Sequence, residues 1–187
     1  EEGDLTAGDV ETVDALYLGN KDIHTINGIE HFTNLRILHL NDTQIREISA
    51  LAGLKQLEVL HMNDTVVSDI QPLTELSGLQ SLKLRNTEVE NIGALAGLNQ
   101  LHYLSLGNTK VKNITALSGL TQLTILELDN TPIRDAGVIA ALTQLMTLDM
   151  SGTEISDVNS LAGLGNLLTL NLNSTAISDL SPLAGLA

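Results

Sequence analysis

The sequence has no cysteine and no tryptophan, and only one phenylalanine, two tyrosines and three prolines among 187 residues. Without cysteine, neither a disulfide framework nor a thiolate metal site can form. Its absence also argues against a vertebrate extracellular repeat protein, since those commonly close their ends with disulfide caps. The compartment itself is left open. Basic residues are scarce, with 9 Lys and Arg against 23 Asp and Glu and a net charge of −14. That balance argues against nucleic acid and against anionic membrane as partners, because both recruit clustered Lys and Arg. It reads instead as a solvated, soluble surface. Neither a membrane span nor a signal peptide is present, so membrane insertion is not expected, and the start is compatible with prior removal of an export signal.

What the chain has is a repeat. Apolar residues fall at Leu79, Leu82, Leu84, Val89, Ile92, Leu95 and Leu98, and 22 residues later at Leu101, Leu104, Leu106, Val111, Ile114, Leu117 and Leu120. A fixed period in this range means a solenoid, in which each coil buries its apolar side only against its neighbours. The 2% aromatic content fits thin coils filled by Leu, Ile and Val. Residues 1–12 lack the pattern and read as an N-terminal cap, with Thr6 and Asp9 as an imperfect capping box. Residues 13–187 then divide into eight coils without insertion or deletion, the last one residue short. No C-terminal cap follows, so the expectation is an excerpt of a longer protein with further domains.

Within a coil the period changes. The stretch LHYLSL, Leu101 to Leu106, alternates, placing Leu104 and Leu106 inward and Tyr103 and Ser105 outward in a short strand. From Ile114 the apolar spacing becomes three, which suits a 3₁₀ turn. Pro72 and Pro182 are expected at the first position of such turns, where a missing N–H costs nothing. The sixth coil departs from the template at Ala136 and Gly137, and Val138 to Leu142 suit a slightly longer helical turn. A threonine column, Thr43, Thr65, Thr87, Thr109, Thr131, Thr153 and Thr175, is broken only by Lys21. It reads as structural, its hydroxyls bonding the backbone that leaves each strand, since no base recurs beside it to activate a nucleophile.

The pattern LxxLxxLxLxxTxIxDIxxLxxL resembles the leucine-rich repeat, in the subclass shared by bacterial internalins and a protein-phosphatase regulatory subunit. Thr stands where the usual repeat has a buried Asn, a variant associated with bacterial repeats. The opening GDLTAGDVETVDALYLGNKDIHTINGIEHFTNL is similar to the start of bacterial secreted members. The resemblance implies an α/β leucine-rich repeat solenoid, right-handed, with a parallel sheet on the concave face and 3₁₀ or short helical turns on the convex face. It also implies protein binding along the concave face.

The outward strand positions form three rows. One carries Tyr17, His39, His61, Lys83, Ser105, Glu127, Asp149 and Asn171. A second carries Ile37, Val59, Tyr103 and Ile125, apolar or aromatic residues without a core role. A third, at the strand exit, carries Gly19, Asn41, Asn63, Arg85, Gly107, Asp129, Ser151 and Asn173. The face is therefore basic or titratable toward the N-terminus and acidic toward the C-terminus, a pairing of apolar anchors with steering charges that suits a protein ligand. The bland alternative is a strand surface of ordinary β-formers and polar residues. His39 and His61 should neighbour each other and lower each other's pKa, and with no third ligand and Lys83 beside them no metal site is expected. Asp42, Asp64, Asp69, Asp157 and Asp179 read as turn caps, lacking the dense spacing of a calcium loop. No phosphate loop, HExxH or nucleophilic triad is present, so the chain reads as a non-enzyme without cofactor. The expectation is a binding module of a bacterial secreted or cell-surface protein. The alternatives are an intracellular regulatory scaffold similar to the phosphatase-binding class, or a structural spacer.

Overall fold

The computed structural model describes residues 10–19 and 22–186. Thr6 and Asp9 of the expected cap, and Lys21 at the break in the threonine column, lie outside the described residues. Eight three-residue strands, β1 (Ala15–Tyr17), β2 (Ile37–His39), β3 (Val59–His61), β4 (Ser81–Lys83), β5 (Tyr103–Ser105), β6 (Ile125–Glu127), β7 (Thr147–Asp149) and β8 (Thr169–Asn171), form one parallel sheet in chain order. Each residue pairs with its equivalent one repeat on, as Leu82 with Leu104 and Leu104 with Leu126. Alternation turns the middle residue of each strand inward, and Leu38, Leu60, Leu82, Leu104, Leu126 and Leu148 are wholly buried. Leu16 and Leu170, in the first and last strands, pack against this core only in part.

Opposite the sheet, each coil closes through a 3₁₀ turn, where the apolar spacing of three keeps one side chain per turn inside. Stacked strands are slimmer than stacked turns, so the solenoid bends with its sheet on the concave side. Pro72 and Pro182 stand second in the turns Gln71–Leu73 and Ser181–Gly185, one place later than expected, where an N–H is still surplus. The sixth turn, Gly137–Ala141, has five residues, but Thr115–Gly119 and Ser181–Gly185 are as long, so the sixth coil is not exceptional.

Two side-chain columns shape the bends. In the third to eighth turns the residue two before the first N–H accepts from it, as Asp69 from Gln71 at 2.9 Å, Asn113 from Thr115 at 2.9 Å and Asp179 from Ser181 at 2.8 Å. Asp157 does the same for Asn159. Asp42 and Asp64 serve differently. They occupy the left-handed region, φ 58° and 57°, as do Asn86, Asn108 and Asn130 one repeat apart, a conformation that short Asp and Asn side chains tolerate. One residue later, each Thr of the column donates its hydroxyl to the carbonyl three residues back, at 2.5–2.9 Å from Thr43 through Thr175. These hydroxyls bond within their own coil. Among the described residues no buried side-chain polar atom lacks a partner.

Candidate recognition face

On the concave face the first three coils carry a run of rings. Tyr17 meets His39 edge-on at 4.8 Å between centroids, and His39 stacks on His61 at 4.4 Å with planes 18° apart. Register puts the two histidines on adjacent strands, and parallel stacking aims their nitrogens along separate lines rather than at one point. His61 Nε2 lies 3.1 Å from Ser81 Oγ. Burial is the first cause lowering both imidazoles. For His61, whose pKa falls to about 4, His39 and Lys83 add to it, and for His39 the second cause is Lys83. The sequence anticipated the direction through mutual repulsion, whereas desolvation leads. At neutral pH the pair is uncharged, so this end of the face is less basic than the residue names suggest. Ile37 and Val59 flank the rings, half-buried.

Further along, Lys83 Nζ sits 4.5 Å from the centroid of the Tyr103 ring, and Tyr103 donates its hydroxyl to Glu127 Oε1 at 2.9 Å. Burial and that bond push the phenol up to about 12. Ile125 pairs beside Tyr103 on the next strand. Ser105, expected at the surface, is 1% exposed, with Lys83 and Glu127 as its register partners on the neighbouring strands. Asp149 accepts from the Ser151 N–H at 2.9 Å and from Asn171 Nδ2 at 3.0 Å.

Arg85 and Asp129 find each other. The guanidinium passes over the fifth coil and donates both Nη1 and Nη2 to the Asp129 carboxylate, at 2.6 and 2.7 Å. Asp129 is 6% exposed, and the bond to it holds Arg85 above its ordinary pKa. The residue that sequence reading passed over is Gly107, beneath this pair. Its signal was present in the strand-exit row, where Arg and Asp stand on either side of a glycine.

Among the described residues no group of three or more His, Asp or Glu is placed to hold a metal, and no helix is long and apolar enough to cross a membrane. The leucine-rich repeat family profile, in two copies, matches residues 33–75 and 77–119. An internalin C2 from Listeria monocytogenes superposes with a TM-score of 0.96 at 33% identity, over 98% of this chain and 81% of that one. This chain belongs to the internalins. A second Listeria monocytogenes internalin, InlF, matches at 28% identity and a TM-score of 0.60, over 97% of this internalin and 73% of that chain. The plant peptide hormone receptor RGFR1, in complex with RGF2, shares the fold alone, at 18% identity and a TM-score of 0.75 over 94% of this chain and 35% of that one. No curated protein matches by sequence.

Proposed function

We propose that this internalin is a protein-binding module of a bacterial secreted or cell-surface protein, and that its ligand lies along the concave sheet face. The observation that carries the reading is the set Ile37, Val59, Tyr103 and Ile125. These side chains stand partly exposed on the sheet, outside the apolar core, beside Tyr17, which is 62% exposed. A partner covering them would desolvate apolar and aromatic anchors, two of which are already held in place, Tyr17 edge-on to His39 and Tyr103 between Lys83 and Glu127. Lys83 would meet an acidic group, and Glu127 with Asp149 a basic one, giving an elongated, polarised ligand whose association weakens with added salt. Membership of the internalins supports the extracellular placement, and recovery of the full chain solely from cytosol would sink it.

The test is capture from a displayed library of protein fragments. Val59→Glu combined with Tyr103→Ala should abolish capture while hardly moving the melting temperature, since neither side chain fills the core. Lys112→Glu, on the flank away from the sheet, should leave capture intact. Loss of capture in the flank variant alone would place the site elsewhere and overturn the reading.

A further inference from the structure

The Arg85–Asp129 pair joins residues two repeats apart, and it crosses a coil without touching that coil's own charges. Adjacent strands are about 4.8 Å apart, so the two side chains together bridge roughly twice that distance. The crossing depends on Gly107. A Cβ there would collide with the Asp129 carboxylate and lie 2.5 Å from Arg85 Nη1. Gly107 has no positive φ, so backbone freedom does not explain the glycine, and clearance for the crossing does. The fork needs both carboxylate oxygens, a geometry that Arg supplies and Lys does not.

Arg85 has two further carboxylates within electrostatic reach, Glu127 and, with a smaller effect, Asp149, which is already bonded by Ser151 and Asn171. Glu127 is instead engaged by the Tyr103 hydroxyl, with Lys83 over the same ring. We propose that Arg85 and Asp129, passing over Gly107, are positioning residues of the recognition face: they keep the guanidinium off Glu127, so that Lys83, Tyr103 and Glu127 are presented to a protein ligand as a pre-formed set. The proposal rests on the concave-face reading. It removes Arg85 and Asp129 from the residues that touch the ligand and leaves Lys83 as the cation the sheet offers. Pre-organisation of this kind lowers the ordering cost of binding without adding a contact.

Two changes break the crossing by different means. Asp129→Asn removes the charge that holds Arg85, and Gly107→Ala removes the clearance while keeping every charge. In either variant Arg85 should fork onto Glu127 and displace Tyr103. The chain has two tyrosines and no tryptophan, so in a Tyr17→Phe background the phenol fluorescence belongs to Tyr103 alone. A carboxylate that accepts from the excited phenol quenches it. Glu127→Gln in that background sets the unquenched level. Asp129→Asn and Gly107→Ala should both brighten to that level and, with Tyr17 restored, should lose capture of the library fragments that the parent retains. Fluorescence equal to the parent's in both variants overturns the proposal, as does full capture by brightened variants. If the parent captures no fragment, the recognition reading fails, and fluorescence still decides whether Arg85 is held off Glu127.

Discussion

His61 combines three influences of one sign. Burial beneath its neighbours leads, His39 stacks on one side, and Lys83 stands on the other. The unfolded imidazole takes its proton near 6.5 and the folded one at about 4. Between those values the unfolded state binds more protons, so stability rises with pH across the window and is lost as pH falls through it. The ring is half-exposed, which moderates the effect. His61→Gln removes the titration. Its melting temperature should therefore fall less than the parent's on acidification from about pH 6.5 to pH 4, the window those two values define. Carboxylates titrate alike in both proteins, so the difference between them isolates the imidazole. Equal losses would show that the ring is protonated in the fold as easily as in the open chain. At this scale the sequence was informative about identity and neighbours, since one repeat places His39 beside His61. It could not reveal that Ser81 bonds His61, because a serine hydroxyl leaves no pattern.

The bend after each strand is where side chain and backbone meet most closely. At Thr109 the hydroxyl donates to the Leu106 carbonyl at 2.7 Å, and the residue is 5% exposed. Thr109→Val keeps the volume and removes the donor, so it should destabilise by about 1–3 kcal/mol in urea unfolding, with Thr109→Ser milder. A valine variant as stable as the parent would show that the column acts through shape alone. Strands and turns were legible here because period two and period three are distinct within one repeat. The caps were legible in part. Three of the five aspartates read as caps do cap turns, Asp69, Asp157 and Asp179, whereas Asp42 and Asp64 sit in the left-handed bend and the equivalent Asn113 was not singled out. Turn length was not legible. Five-residue turns occur at Thr115–Gly119 and Ser181–Gly185, whose sequences keep the ordinary template, because one further 3₁₀ bond needs no special residue.

Across the whole molecule, comparison of one repeat with the next reveals stacking and little else. The Arg85–Asp129 crossing escapes it because the partners are 44 residues apart, two repeats, with a glycine between. The same one-dimensional logic sets how damage spreads. Leu104 lies mid-solenoid with no exposed surface, clasped between Leu82 and Leu126. Leu104→Asp would bury a charge with no partner, costing several kcal/mol or forcing the coil open. Each coil is stabilised by its neighbours, so opening the fifth withdraws an interface from the fourth and the sixth. Leu170, in β8, is only partly covered, and an aspartate there can reach water. Hydrogen exchange should therefore show Leu104→Asp stripping protection from amides of coils four to six, with the outer coils affected less. Leu170→Asp should loosen the last coil alone. If Leu104→Asp melts within about a degree or two of the parent, the inward register is refuted, because even 1 kcal/mol shifts a domain of this size by roughly 2–4 °C.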